Sequence, residues 1–368
     1  MIRGEFKNMM MKKIIGSFLL ALLALNGFAQ GINDGPYAKY AGDSTKVMSV
    51  VSGKAVIQSF ASDKKTQREI EVNFDGHSDW DFKVPLRLEL KVEASEYVQP
   101  EKLFIVSDIE GEFEGFRRLL IANKVINEKY QWTFGRGHLV ICGDLFDRGL
   151  SVPESIWLIY KLEDLARAAG GYVHTILGNH DIMNLSGDLR YVQQKYIESA
   201  KILGVDYLSL YGTDAELGRW LRTKNTIEKI GDNLCMHAGV SPIINSLGLS
   251  VADINRLCRP YYDKVKVLKG VGDAKIDPFF KGESSLFWYR GYFFDPKATE
   301  AEVSETLRVF GVQRIVAGHT IVPENIAFYY EGKVLGIDVN RHAGDHQAAL
   351  FEGGKWYKVN DKGESKEL

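Results

Sequence analysis

The stretch Leu103-Phe104-Ile105-Val106-Ser107-Asp108-Ile109-Glu110-Gly111 sets the fold class, because an apolar run ends abruptly in acidic residues and glycine. A short continuous run of this kind fits a strand buried on both faces, whereas a half-exposed strand would alternate. The same arrangement returns at 138–149, where HLVIC is followed by GDLFDRG. Further apolar runs lie at 172–177, 234–236, 314–317 and 334–339. Between several of them the apolar spacing becomes that of helices, at 113–121, 152–169 and 302–310. Strands alternating with helices predict an α/β layered domain over 101–360.

The flanks read differently. Residues 30–100 form a β-rich N-terminal appendage in this reading, with strands at 47–51 and 55–60 and with Ile70, Val72 and Phe74 alternating with polar residues. That segment carries no chemical motif. Residues 185–231, with helix-like periodicity rich in Tyr and Leu, are expected to be an inserted helical cap, and 361–368 a flexible tail. Lys12 and Lys13 precede an apolar run at 14–25, and Gly27 and Ala29 place small residues at −3 and −1 of a cut after Ala29. This is the layout of a signal peptide over 1–29, with an uncleaved anchor as the alternative. Cleavage would leave a periplasmic or secreted protein with no membrane span.

Composition narrows the partners. Lys and Arg number 46 against 48 Asp and Glu, so no basic excess asks for nucleic acid. Apolar residues make up 45% of the 368, enough for a sizeable core. Three cysteines, Cys142, Cys235 and Cys258, cannot form a complete disulfide framework in an exported protein. Cys142 and Cys235 lie inside apolar strands and are expected to be buried small hydrophobes.

Five of the apolar runs end in polar clusters: Ser107 to Gly111, Gly143 to Gly149, Gly178-Asn179-His180-Asp181, His237-Ala238-Gly239 and Gly318-His319-Thr320. In α/β sheets ligands collect beyond the carboxyl ends of strands. The set Asp108, Asp144, Asn179, His237 and His319 combines N and O donors, which suit Mn, Fe or Zn better than an all-oxygen cage does. Two cations about 3.5–4 Å apart stabilise in-line displacement at phosphorus, and they need a bridging carboxylate, for which Asp144 is the natural candidate.

The ordered set of GDLFDRG, Gly178-Asn179-His180-Asp181, His237-Ala238-Gly239 and Gly318-His319 resembles the calcineurin-like metallophosphatases, in their phosphoprotein-phosphatase branch. Residues 183–190 and 286–291 (MNLSGDLR and LFWYRG) further resemble the Shewanella-like protein phosphatases. The resemblance spans about 103–339. It implies a four-layer core, a central β-sandwich flanked by helices, around two divalent metal ions. Asp108 and Asp144 would serve one ion, with Asp144 bridging, and Asn179, His237 and His319 the other. His180 would protonate the leaving oxygen, oriented by Asp181, while Arg148 and Arg290 would grip the phosphate. Asp147 would hold Arg148 or support the site from behind. An ordinary ion pair is the alternative for Arg290, and Asp338 either supports the site or belongs to a strand-end turn.

One position departs from the family pattern, which reads D-x-H where this chain has Asp108-Ile109-Glu110. A glutamate ligand would add a hard anionic donor and shift preference toward Mn or Mg. Alternatively Glu110 points away. His342 and His346 either compensate from a nearby loop or are exposed loop residues. The expected function is hydrolysis of phosphomonoesters, those of phosphoproteins first, by direct attack of metal-activated hydroxide. A phosphodiesterase or nucleotide pyrophosphatase is the enzymatic alternative, and a non-catalytic metal-binding scaffold the other.

Overall fold

Alternation within single strands explains the layers. In the computed structural model, which describes residues 31–61, 67–323 and 325–368, Leu103 and Ile105 of strand Lys102–Val106 enter one core, and Phe104 and Val106 enter another. The strand His138–Cys142 divides likewise, with Val140 and Cys142 on one side and Leu139 and Ile141 on the other. Both faces are covered, hence the unbroken apolar runs. The signal-peptide expectation for 1–29 lies outside the described residues.

Two six-stranded sheets pack face to face. The first runs Ser365–Glu367, Lys355–Asn360, Gln347–Glu352, Lys102–Val106, His138–Cys142, Tyr172–Ile176. The second runs Ala327–Tyr329, Val334–Gly336, Arg314–Ala317, Asn233–Met236, Ile227–Ile230, Glu96–Tyr97. Leu103, Ile105, Val140 and Cys142 meet Cys235, Val316 and Leu335 between them. Within each sheet three consecutive strands are parallel: Lys102–Val106, His138–Cys142 and Tyr172–Ile176 in one, Asn233–Met236, Arg314–Ala317 and Val334–Gly336 in the other. The four-layer sandwich expected of the fold is what forms. All three cysteines are buried and free.

Helices cover the outer faces. Val152–Ala168 begins with Pro153 in its first turn and is buried along most of its length, including the polar Glu154, Ser155 and Glu163. Glu300–Phe310 opens with a capping box, in which Glu302 N donates to Thr299 Oγ1 (3.2 Å) and Thr299 N to Glu302 Oε2 (2.7 Å), and stops at Gly311 with φ 59°. No helix of the described residues is long and apolar enough to cross a membrane.

Three boundaries differ from the sequence reading. The segment before residue 101 is no separate appendage, because its sheet of Asp34–Ala41, Ser44–Val51 and Lys54–Ala61 shares the helix-side core through Tyr37, Met48 and Val50. Trp157 Nε1 donates to Pro36 O (2.8 Å), and Glu216 accepts from Tyr40 (2.8 Å) and Tyr160 (2.6 Å), so this sheet is sewn to the domain and cap. The cap holds helices Gln194–Leu203 and Glu216–Leu221, but Ile227–Ile230 already belongs to the second sheet. The tail is not frayed either: Ser365–Glu367 pairs with Lys355–Asn360 as an edge strand.

Candidate active site

Each parallel strand ends in a sharp turn that aims a polar side chain across the seam between the sheets. The turns are conformationally demanding. Asp108 (φ 52°), Glu110 (45°), Asp144 (55°), Asp147 (76°), Arg148 (53°) and His319 (63°) all occupy the left-handed region, which L-residues seldom adopt. Such strain gathers where surrounding contacts over-determine the backbone, and functional sites are the usual place. Asp108 N donates to Gly143 O (3.0 Å), Glu110 N to Asp144 O (2.9 Å), and Gly149 N to Glu110 O (2.8 Å), knitting the first two turns together. Glycine is required at Gly178, where a Cβ would lie 2.1 Å from Asp144 Oδ1. Gly318 is similar, with Asp108 Oδ2 at 2.6 Å from its would-be Cβ.

The expected ligands come together. Ligand atoms of Asp144, His237 and His319 lie within 4.8 Å of one another, and those of Glu110, Asp144 and His180 form a second such group. Asp144 belongs to both. His237 Nδ1 donates to Cys142 O (2.9 Å), which turns Nε2 into the centre. There Nε2 faces Asn179 Oδ1 at 2.8 Å, His319 Nδ1 at 3.1 Å and Asp144 Oδ2 at 3.2 Å. Asp108 closes the ring, with Oδ2 accepting from His319 N at 3.1 Å.

The electrostatics ask for cations. Asp108, Glu110, Asp144 and Asp338 are all buried. Burial, with the charges of Asp144 and Glu110, pushes Asp108 up to about 6. Burial and the charges of Asp108 and Glu110 push Asp338 up further. Burial works against a charged His237, but the carboxylates of Asp144 and Asp108 outweigh it and raise it to about 10. Burial also holds His319 well below the usual imidazole range, with the neighbouring His237 adding to it. A single proton on His237 Nε2 cannot satisfy three facing acceptors, and His319 Nε2 is buried without a partner. An Asn, His, His and Asp donor set around one point suits a divalent ion, and the shared Asp144 with Glu110 and Asp108 suits a second.

Beside this centre sits a histidine–carboxylate pair, and here the sequence reading needs correcting. His180 was expected to be oriented by Asp181; the structure puts Asp147 Oδ2 2.6 Å from His180 Nδ1 instead. Asp181 instead accepts from the backbone N–H of Gly178 (2.7 Å), Leu145 (2.8 Å) and Asp144 (3.1 Å), holding two turns in register. Asp147 likewise does not hold Arg148. With Nδ1 on Asp147, His180 Nε2 faces the centre, 3.9 Å from Glu110 Oε1 and 4.0 Å from Asp144 Oδ2. Burial opposes charge on His180, but Asp144 and then Asp147 prevail and raise it to about 9.

Glu110 points inward. Its carboxylate contacts Arg148 Nη1 (2.8 Å) and His342 Nε2 (2.7 Å), and His342 Nδ1 meets Glu112 Oε1 at 3.0 Å. His342 is therefore tied to the site and not a free loop residue, whereas His346 is buried against Gly115. Arg148 remains half-exposed at the rim. Arg290 makes no ion pair among the described residues; its Nη1 donates to His319 O (2.7 Å) and Thr320 Oγ1 (3.1 Å), leaving the rest of the fork for an anion. Arg341, overlooked in the sequence, is buried behind Asp338 and donates to Ser107 O and Gln347 O (both 2.9 Å).

The sandwich with this seam-spanning donor cluster defines a metallophosphatase, and the chain belongs to the calcineurin-like phosphoesterase family, whose profile matches residues 101–323. It is therefore a metal-dependent hydrolase of phosphoesters. Among curated relatives, Shewanella-like protein phosphatase 2 of Arabidopsis thaliana is 25% identical over 67% of this chain and 73% of its own. Among solved structures, a cold-active protein-tyrosine phosphatase of a psychrophilic Shewanella species is 34% identical, covers 91% of this chain and 99% of that one, and superposes with a TM-score of 0.82. A symmetrical bis(5'-nucleosyl)-tetraphosphatase of Methylococcus capsulatus is 28% identical over 44% of this chain.

Replacing Glu110 by His tests whether its carboxylate meets a metal. The Glu110→His protein is expected to gain about tenfold in preference for Zn over Mn, since imidazole replaces a hard oxygen donor. Competitive dialysis against both ions with elemental analysis reads this directly. An unchanged ratio would place Glu110 outside the ligand set.

Proposed function

We propose that this protein is an exported phosphomonoesterase acting on phosphoproteins, phosphotyrosine among them, with Mn as its preferred ion. The observation that carries the reading is the His180–Asp147 pair facing the shared Asp144, with Arg148 and Arg290 on the rim. A scaffold needs neither a proton donor nor a phosphate fork. The bound ions would supply Lewis acidity and an activated water. Asp108, Asp144, Asn179, His237 and His319, with Glu110, would hold them. Arg148 and Arg290 would orient the phosphate through planar, permanently charged forks. The bond from phosphorus to the leaving oxygen breaks as a new one forms to water oxygen, and His180 Nε2 delivers the proton that the leaving oxygen needs. Asp147 keeps that imidazole protonated and turned correctly.

Names and coverage favour a monoester. Two relatives that cover two-thirds or more of this chain are called protein phosphatases, while the tetraphosphatase match is confined to a shorter stretch. Support for Mn comes from Glu110, the hard donor where the family pattern has imidazole. Export is supported by the 1–29 leader pattern alone. Amino-terminal sequencing of the mature protein should begin at Gln30, and a retained leader would contradict cleavage.

Purified protein supplied with Mn is expected to hydrolyse phenyl phosphate much faster than bis(4-nitrophenyl) phosphate. The reverse order would favour a phosphodiesterase, and no turnover with any divalent ion would end the enzymatic reading. In the same assay Asp147→Asn should lower kcat on phosphomonoesters by about 10²-fold or more. Asp181→Asn should instead act mainly through reduced stability, measured by urea unfolding.

A further inference from the structure

Two aromatic rings pack against histidines of the centre. Trp288 stands edge-on to His319, with ring centroids 5.7 Å apart, on the side of the His237 cluster. Tyr191 lies 5.1 Å from the His180 ring, tilted by 56°, on the side of the proton donor. Unlike most aromatics of this chain, Tyr191 is 46% exposed. Two cations border its ring, Arg148 at 6.0 Å and Arg190 at 5.8 Å from the centroid.

The neighbourhood holds this exposed ring in place. Asp188 clamps Arg190 through a two-point fork, both distances 2.8 Å. Arg148 N donates to Tyr191 O (3.4 Å), and Gln193 Nε2 donates to Arg148 O (2.5 Å), clipping the cap segment to the GDLFDRG turn. An exposed ring with its backbone pinned on both sides loses little freedom when something stacks on it.

We propose that Tyr191 is a specificity-determining residue that receives the aromatic leaving group of an aryl phosphate. The reasoning rests on the monoesterase reading above. In such a reaction the leaving oxygen must face the proton on His180 Nε2, so whatever that oxygen carries emerges past His180. The Tyr191 ring, exposed and packed against His180, offers a surface there. A phenyl group fits it by offset or edge-to-face packing, and the flanking guanidinium groups add electron-poor faces for a second contact. An alkyl chain gains far less from the same surface. Trp288 packs against His319 instead.

The alternative is that Tyr191 merely buttresses His180, and the two roles have opposite signatures. An alkoxide is a poorer leaving group than a phenoxide, whose conjugate acid has a pKa near 10. Damage to the proton donor therefore harms an alkyl ester more than an aryl ester, while loss of a stacking platform harms the aryl ester more. The experiment compares kcat/KM for phenyl phosphate and ethyl phosphate in the Mn-loaded wild type, Tyr191→Ala and Tyr191→Phe. We expect Tyr191→Ala to lower the phenyl-to-ethyl ratio about tenfold, equivalent to about 1.4 kcal/mol, mostly through KM. Tyr191→Phe should retain the ratio. A ratio that stays constant or rises in Tyr191→Ala overturns the proposal. Calorimetric binding of phenylphosphonate against methylphosphonate to the same proteins reads the platform without turnover. If wild type hydrolyses neither ester but Tyr191→Ala loses its phenyl preference in binding, the monoesterase reading fails and the platform stands. Equal phenyl preference in wild type and Tyr191→Ala removes the platform.

Discussion

The carboxylate of Asp144 lies where the two sheets meet, and most of the surrounding structure serves to keep it there in charged form. Oδ1 accepts from the backbone of His180 (2.9 Å), while Oδ2 faces His237 Nε2 (3.2 Å). Burial alone would favour the neutral acid, but the charges of His237 and His180 outweigh it and hold Asp144 low. One oxygen is thus committed to the first sheet's turn and the other reaches toward the second sheet. A displacement of either sheet would strip the group of a partner, so the seam and the site are one constraint.

That constraint explains why strain is concentrated at the centre. Two sheets can place side chains from six strands around one point only if each strand stops and turns within one or two residues. Left-handed backbone at Asp108, Glu110, Asp144, Asp147, Arg148 and His319 is the geometric result. Gly178 and Gly318 let neighbouring turns approach closely enough for side-chain oxygens to occupy the space a methyl group would take. Asp181 adds the glue, one carboxylate satisfying three backbone donors of two different turns. Residues that look interchangeable in composition therefore do unlike work: Asp144 points into the site, Asp181 holds up its wall.

Much of this was legible in the sequence because it rests on short-range rules. Continuous apolar runs at 103–106 and 138–142 reported burial on both faces, and each ended within a residue or two of the site it serves. What adjacency could not supply was the partner of His180. Neighbouring residues of a helix point in different directions, so Asp181 could not share a face with His180. The signal for its actual task was present, since an acidic residue at the third position of helix Asn179–Ser186 is placed to bond back to Gly178. Asp147 is 33 positions from His180 in sequence, and only the parallel pairing of their strands brings them together. The early segment misled for a related reason: its sheet buries Tyr37 and Val50 against helices encoded more than a hundred residues later.

Glu110 shows how one substitution propagates through such a centre. A carboxylate at this position adds negative charge to a crevice that already holds Asp108, Asp144 and Asp338. Imidazole there would have needed no counter-charge, whereas the carboxylate is met by Arg148 on one side and His342 on the other. Arg148 is shared between Glu110 and the rim, and His342 reaches in from a loop already anchored by Arg341 on Ser107 O. His342 in turn bonds Glu112, so the first turn is braced from outside as well as from the seam. The carboxylate at position 110 thus comes coupled to a more restrained arginine at the rim. One carboxylate therefore ties the first turn to the rim arginine and to the loop that carries His342.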